Sequence, residues 1–444
     1  MDYLEKNGII INRLFDDVYY LYNSNINSKV LVVSKDIADT ICNYDEREDV
    51  IRSLRENVHS EESVNSVISI IEKYGILGDV ILNDNPKKKR LVVWLGITNN
   101  CNLQCRYCYI EKSNINMENK TVDIIVGQLQ EIIEERGYEE LVVKFTGGEP
   151  LINESVLKYA VDVLNERILI KKHFEILTNG TLINSKLIAY FKEKNVTISV
   201  SLDGKDEESN SNRKDVCGND YFNKVFDSVI ALMENGVVPN IMLTINSSNL
   251  RNLPDITSFF IDNNLKFRFS LEKDFITGIP PILADKDYLI AQLNKSFDVM
   301  EEKLNENEFK WKFKFADVRF GVNRDCVCNA GRDYIAFSAD GKIGCCGMGL
   351  STTNIRIGEH CNPMNLLYER YNEWSHWVDD LKECKCCTWK KCCAGGCPLQ
   401  NSLVNGQISK GVYCEVFKEV VPRLLRIEAI RVYRTNRRKD GSRV

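Results

Sequence analysis

The chain reads as an α/β protein: a parallel sheet with a small module before it and a cysteine-rich region after it. Three observations predict this. Six apolar strand-like runs, at 91–98, 141–146, 173–178, 196–202, 239–245 and 265–271, alternate with helix-periodic runs. Repeated βα units of this kind impose parallel pairing with right-handed crossovers. Glycine, asparagine or cysteine motifs follow several of these runs, at the strand ends where α/β folds place their chemistry. Finally, 12 of the 17 cysteines follow Asp317.

Taken in order, Asp17 to Tyr22 and Lys29 to Ser34 read as strands around a polar turn, and helices begin at Lys35, Asp49 and Glu61. On the last helix Val64, Val67, Ile68 and Ile71 form one apolar stripe. Residues 1–83 are therefore expected to form a winged-helix-like module of two strands and three short helices. Asp84-Asn85-Pro86-Lys87-Lys88-Lys89-Arg90 reads as a linker. The βα repeat occupies 90–315, and its first helix carries Val122, Ile125, Leu129 and Ile132 before stopping at Gly137. Lys310 to Phe315 alternates lysines with aromatics at a period of two, which predicts a half-buried strand. A stacking platform for nucleic acid would need both residue types on one face. Residues 316–420 form the cysteine-rich region, and 421–444 read as a basic, solvated helical tail without assigned function.

Composition narrows the function classes. A net charge of −5 gives no global attraction to nucleic acid. The apolar runs are short and broken by charges, and Met1-Asp2-Tyr3-Leu4-Glu5-Lys6 lacks a secretory pattern, so a cytoplasmic protein with no membrane partner is expected. In that compartment 17 cysteines stay reduced, which favours metal or sulfur chemistry over disulfides.

The sharpest motif is Cys101-x3-Cys105-x2-Cys108, directly after the first core strand. A structural zinc site wants four ligands, and the nearest histidines are the distant His59 and His173. Three thiolates suit a 4Fe-4S cluster with one iron left open. Later strand-like runs lead into Thr146-Gly147-Gly148-Glu149-Pro150, into Leu177-Thr178-Asn179-Gly180 and into Ser199-Val200-Ser201-Leu202-Asp203-Gly204, with Arg213 in the loop beyond. Each segment by itself is an ordinary turn or surface charge. Their succession at strand ends supplies the context that a motif match requires.

With Tyr107 ahead of the last cysteine, this set resembles the signature of radical S-adenosylmethionine (SAM) enzymes. The resemblance implies a partial (β/α)6 TIM-like barrel in which Cys101, Cys105 and Cys108 hold a 4Fe-4S cluster completed by SAM. It places Gly147, Gly148 and Glu149 at the SAM amino group, where glycine leaves the backbone bare. Tyr107, Thr178, Asn179, Ser201 and Asp203 line the pocket, and Arg213 pairs with the SAM carboxylate, a bidentate task suited to a guanidinium. It also implies one-electron cleavage of SAM to methionine and a 5′-deoxyadenosyl radical, fed by a reductant such as flavodoxin or ferredoxin. No general base is assigned.

Downstream, Cys328-x12-Gly341-x4-Cys346, Cys384-x2-Cys387-x5-Cys393-x3-Cys397 and Cys414 resemble the SPASM extension, which carries two auxiliary 4Fe-4S clusters. The resemblance assigns Cys326, Cys328, Cys346 and Cys397 to one cluster and Cys384, Cys387, Cys393 and Cys414 to the other. Cys326 lies closer to Cys328 than that pattern places it, which leaves open an unliganded iron for a substrate thiolate. The doublets Cys345/Cys346, Cys386/Cys387 and Cys392/Cys393 leave the frame open. Paired zinc ribbons are the alternative, since CxxC pairs serve zinc equally well. Cys42, Cys217 and Cys361 read as ordinary thiols.

The N-terminal module is similar to the peptide-recognition element fused to many maturases of ribosomally made peptides, where a leader adds a strand to an exposed edge; a plain cap on the barrel is the alternative. Together these resemblances imply an enzyme that installs an intramolecular crosslink in a precursor peptide, a cysteine thioether first, with carbon-carbon crosslinking and epimerisation open. The competing enzyme class is an anaerobic sulfatase-maturing (formylglycine-forming) enzyme. That branch resembles a barrel without the added module and carries an aspartate after the cysteine matched by Cys346, where this chain has Gly347. A non-enzymatic metal-binding adaptor is the third class.

Overall fold

Two sheets organise the protein in a computed structural model that describes residues 4–44, 46–57, 60–77, 89–306, 312–358, 362–374, 378–405 and 409–440. The first is antiparallel, in the order β1 (Leu4–Lys6), β2 (Ile9–Phe15), β3 (Val18–Asn23) and β4 (Leu31–Ser34). Helices α1 (Lys35–Asn43), α2 (Arg47–Asn57) and α3 (Glu61–Lys73) follow it. Two strands are expected here and four form. The added hairpin turns at Asn7-Gly8, whose φ angles of 52° and 79° are those of the tight turns that join antiparallel strands. Alternation along β2 and β3 gives the sheet two apolar faces. Ile9, Ile11 and Leu21 pack with Leu54, Val64, Ile68 and Ile71 of the module's own core. Ile10, Tyr20 and Tyr22 join the main core instead.

The second sheet contains the six expected strands, β5 (Arg90–Thr98), β6 (Glu140–Gly147), β7 (Lys171–Thr178), β8 (Thr197–Ser201), β9 (Asn240–Ile245) and β10 (Lys266–Leu271). All are parallel and in sequence order. A short β11 (Lys314–Phe315) extends the β10 edge; β12 (Tyr334–Phe337) pairs parallel to β5 and carries β13 (Ile343–Gly344). The crossovers contain α4 (Asn119–Arg136), α5 (Glu154–Arg167), α6 (Ser185–Glu193), α7 (Phe222–Glu234), α8 (Leu253–Asp262) and, after β10, α9 (Lys286–Glu306). Leu91, Val93, Leu95 and Ile97 alternate into the same core as Val122, Ile125, Leu129 and Ile132 of α4. That helix ends at Gly137, which is left-handed at φ 63°. This is the fold of a partial α/β barrel, with every core strand directing its carboxyl end to the same rim.

Of the predicted strand at 310–315, Lys314 and Phe315 pair, the lysine exposed and the phenylalanine buried. Residues 307–311, and 84–88 of the linker, lie outside the described residues. The cysteine-rich region holds α10 (Met364–Trp374), α11 (Lys390–Cys393) and α12 (Pro398–Asn405), then α13 (Cys414–Asp440). The last helix runs through residue 421 without interruption and is not a solvated tail over its described length. Val416, Val420, Leu424 and Ile427 are buried in the main core, and Arg423 pairs with Asp298 at 2.6 Å and Glu301 at 3.1 Å on α9. Reading the arginines as solvated overlooked the apolar stripe between them.

The N-terminal module is fastened to the cysteine-rich region by Asn27. Its amide donates to the carbonyls of Arg319 (2.9 Å), Val322 (2.6 Å) and Lys391 (2.9 Å), while its oxygen accepts from Tyr22 at 2.7 Å. Arg426 of α13 reaches the carbonyls of Arg13 and Leu14 at 3.0 and 3.1 Å. Among the described residues no helix is long and apolar enough to cross a membrane.

Candidate functional site

The predicted motifs converge on the carboxyl rim of the sheet. The cysteine loop leaves β5 at Thr98, and the glycine motif at the end of β6 is stitched to it: Gly148 N donates to Thr98 O at 2.7 Å and Glu149 N to Asn100 O at 2.8 Å. This contact explains both glycines. Gly147 has φ +128°, and a Cβ there would lie 2.2 Å from Thr98 O; one on Gly148 would lie 2.1 Å from Asn100 O. Their bareness admits the backbone of the cysteine loop.

Glu149 is fully buried. Its carboxylate accepts from Leu151 N at 3.1 Å, Thr178 Oγ1 at 2.7 Å and Asn179 N at 2.7 Å, tying the β6 end to the β7 end. Burial pushes its carboxyl up to about 7, with those three donors opposing. The Glu149 carboxylate is thus engaged by protein donors. Asn179 turns its amide towards Asn102 Oδ1 at 2.9 Å and Cys101 Sγ at 3.9 Å.

At the β8 end Ser201 stands opposite Met242, and Asp203 is wholly buried. Asp203 accepts from Arg213 Nε at 2.8 Å and Nη2 at 3.3 Å, from Thr244 N at 2.9 Å and from the Tyr107 hydroxyl. Arg213 also lies 5.4 Å over the Tyr107 ring, and its Nη1 is 3.9 Å from Cys105 Sγ. Its fork therefore holds an internal carboxylate on the Nε and Nη2 side, with Nη1 turned towards the cysteine loop. The buried Asp203 and Arg213 and the half-buried Tyr107 form one unit beside Cys105. Asn102, Asn210 and Asn249 also belong to the site: Asn210 accepts from Asp203 N at 3.1 Å and Asn249 donates to Asp203 O at 3.0 Å. Nothing in the sequence distinguishes these asparagines from turn residues.

The loop's donor chemistry fits an iron-sulfur group. Cys101 and Cys105 are half-buried and Cys108 is exposed. Burial pushes Cys101 up to about 11, the Leu103 N–H opposing and Glu149 adding to it. Cys105 is raised by burial while Arg213 pulls the other way. Binding therefore releases protons. Among the described residues no three His, Cys, Asp or Glu side chains sit close enough to hold a single metal ion. Three soft sulfur donors on one loop are the donor type that an iron-sulfur group takes.

The cysteine-rich region sorts its thiols into two groups. Cys384, Cys387, Cys393 and Cys414 line one hollow with Trp389 and Phe417. Burial pushes Cys384 up to about 12, its three companions adding to the effect. Cys328, Cys346 and Cys397 form the second group: Cys328 is exposed at its edge, and desolvation of its sulfur, with Cys397 and Cys346 adding, raises its thiol. Cys326 lines a hollow with Cys328, its Sγ 3.7 Å from Asn329 Oδ1. The doublets separate as well. Cys345 is buried against Leu367 O at 3.6 Å, Cys386 is exposed, and Cys392 bonds Tyr22 at 2.8 Å. Between the loop and the second group stands Tyr109, whose hydroxyl is 3.7 Å from where a Cβ on Gly347 would lie.

Residues 95–259 match the family model described as the Radical SAM superfamily. The chain carries a radical SAM domain and is a radical SAM enzyme. The family implies a 4Fe-4S cluster and SAM. Among curated proteins it is similar to a cysteine-type anaerobic sulfatase-maturating enzyme of Clostridium perfringens, 26% identical over 74% of this chain and 95% of the relative. A namesake from Clostridium novyi is 28% identical over 72% of this chain and 91% of its own. Among solved structures, native anSMEcpe with bound AdoMet and Cp18Cys peptide matches 76% of this chain and 99% of its own at TM-score 0.62 and 22% identity. Streptococcus suis SuiB bound to precursor peptide SuiA matches 92% of this chain and 99% of its own at TM-score 0.53 and 15% identity.

Proposed function

We propose that this radical SAM enzyme matures a ribosomally made precursor peptide by forming an intramolecular crosslink, a cysteine thioether first. The observation that carries the reading is the N-terminal module fastened through Asn27 to the cysteine-rich region. The fold likeness to SuiB, the structure bound to its precursor peptide, leaves under a tenth of this chain unmatched, which is less than the module. The sulfatase-maturating relative of Clostridium perfringens is itself almost fully matched, yet leaves about a quarter of this chain over.

In this reading residues 1–83 recognise the peptide, 90–315 form the catalytic barrel, and 316–420 hold two auxiliary clusters, with α13 bracing all three. Cys101, Cys105 and Cys108 hold the SAM-binding cluster; together that cluster and SAM supply the hydrogen-abstracting radical. Gly147 and Gly148 press the strand end against the cysteine loop, and Glu149 locks that joint to β7. Asp203 fixes Arg213 and Tyr107 beside Cys105, so the pocket wall is organised before any ligand arrives. Thr178, Asn179 and Ser201 complete the wall. Cys384, Cys387, Cys393 and Cys414 form one auxiliary set; Cys328, Cys346 and Cys397, with Cys326 at their margin, form the other. A leader segment adds to the β4 edge, and a flavodoxin- or ferredoxin-type protein supplies electrons.

The sulfatase-maturing reading is favoured by the curated relatives and stands as the second. Anaerobic co-expression with a short cysteine-containing peptide encoded beside this chain separates the two. Loss of two hydrogens with loss of thiol alkylation, absent in Cys105→Ala, supports thioether formation. An unmodified peptide together with conversion of a sulfatase-type cysteine or serine to formylglycine overturns it.

A further inference from the structure

A cavity of about 300 Å³ opens between the segment around β11 and α13, lined by none of the cysteines. The N-terminal module borders it. Asn27 holds the carbonyls of Arg319 and Val322 in its wall, and a Cβ on Gly321 would lie 2.9 Å from Lys29 Cγ, two residues ahead of β4. Phe313, Phe320, Leu424 and Ile427 give the cavity an apolar floor. Lys312, Lys314, Arg319 and Arg431 also line it, against one carboxylate, Glu428. That carboxylate is already engaged. It accepts from Arg431 Nε and Nη2, both at 2.8 Å, and stands 3.8 Å from Lys312 Nζ. Arg319 Nη1 is fixed by the carbonyls of Ala316 and Val318, both at 2.7 Å. Among the described residues neither Lys314 nor Arg319 forms an ion pair with a carboxylate. The lining thus carries a surplus of three positive charges, in a chain of net charge −5.

We infer that this cavity is a binding site for a peptide segment that is both acidic and apolar. Naming the segment as part of the precursor's leader rests on the maturase reading. A carboxylate side chain supplies the counter-charge that the lining lacks, and a guanidinium already anchored on one side presents its remaining donors in fixed geometry. The apolar floor asks for more than charge, so a bare inorganic anion would leave it unfilled. The volume is at the lower end for ligand pockets, which admits a few side chains and excludes a folded acidic domain. Position agrees with the leader assignment: β4 is the edge strand of the module's sheet and begins beside the cavity, so a leader lying on that edge has the cavity at one end of its path.

The test is fluorescence anisotropy on the full-length, cluster-loaded protein under anaerobic conditions. Its probes are labelled synthetic peptides of one length in which leucine alternates with glutamate, glutamine or lysine. The glutamate peptide is expected to bind most tightly and to weaken as salt is raised. Lys314→Gln combined with Arg319→Gln should reduce its affinity about tenfold, the scale of one charge-assisted hydrogen bond, and leave iron content and peptide-independent SAM cleavage unchanged. Lys314→Glu should shift preference towards the lysine peptide. Equal binding of the glutamate and glutamine peptides, or no loss in the double variant, overturns the inference. Displacement of the glutamate peptide by equimolar inorganic phosphate makes this a small-anion site and overturns it too, as does displacement by flavodoxin, which assigns the surface to the electron donor. If the double variant fails to retain iron, the preference of Lys314→Glu decides, and an unchanged preference sinks the idea. Co-expression separates the two readings: a neighbouring peptide left unmodified by the wild type refutes the maturase reading, whereas one modified equally by wild type and double variant refutes the leader site.

Discussion

Replacing Gly148 by alanine tests whether the glycine motif exists to admit the cysteine loop. The added Cβ would lie 2.1 Å from Asn100 O, 2.6 Å from Asn100 C and 2.9 Å from Asn99 O, all backbone atoms with no rotamer to escape into. Ordinary contact is about 3.5 Å, so the loop must retreat by more than about 1 Å. That retreat breaks Gly148 N to Thr98 O and Glu149 N to Asn100 O, each bond contributing about 1 kcal/mol net. Adding about 1–3 kcal/mol for overpacking gives a loss of about 3–5 kcal/mol. Urea denaturation of the apoprotein measures it as a lower midpoint at constant slope, and reconstituted protein should bind less iron at the radical site. Gly127→Ala is the control: it lies inside α4, where the new Cβ meets Arg167 Nη2 at an ordinary 3.8 Å, so a gain of about 0.5–1 kcal/mol is expected. Equal midpoints for Gly148→Ala and wild type, with unchanged SAM cleavage, would refute the steric argument.

Glu149, at about 7 in the folded protein against 4.5 ordinarily, binds its proton more tightly folded than unfolded. Its contribution is complete below pH 4.5 and is lost as pH rises to about 7, a fall of about 3 kcal/mol. Glu149→Gln does not titrate, so the stability gap between it and wild type should narrow across that window; urea midpoints at several pH values decide, and a constant gap contradicts the burial argument. Asp203→Asn leaves the Arg213 guanidinium, 9% exposed, without its counter-charge. A loss of about 3–5 kcal/mol is expected in the same denaturation assay. Cys387→Ser should remove one cluster's worth of iron and Cys386→Ser none, measured by iron analysis after reconstitution. Equal losses would mean that the two groups are drawn wrongly.

The six core strands and the motifs at their ends were legible because period, spacing and strand-end position all pointed the same way. What escaped the sequence was partner choice. Arg213 and Asp203 stand ten residues apart, and no pattern reveals that the guanidinium closes on this carboxylate. The doublets show the same limit: adjacent cysteines have identical local context, and the fold separates them by turning Cys392 to Tyr22 and Cys393 into the hollow with Cys384. The β1–β2 hairpin was a different kind of miss. Its Asn7-Gly8 turn is a strong local signal, overlooked beside the longer elements that follow. In α13 the apolar stripe has ordinary helical spacing but is interleaved with arginines that pair across to α9, so charge density alone does not mark a solvated helix.

The position after Cys346 bears on the choice between the two enzyme readings. A side chain there must grow from Gly347 into a space walled by Trp94, whose Cε3 would be 3.0 Å from the first added carbon, and by the Tyr109 hydroxyl at 3.7 Å. Trp94 is held in turn by its place in β5 and by the Tyr334 ring at 5.9 Å. An aspartate at 347, the residue implied by the sulfatase-maturing resemblance, would need the Trp94 ring to give by a few tenths of an ångström. Tyr109 occupies the neighbouring space and meets the Phe275 ring edge-on at 6.3 Å between centroids. In the thioether reading Cys328, Cys346 and Cys397 would hold a group that would favour the thiolate form of a substrate cysteine bound to it.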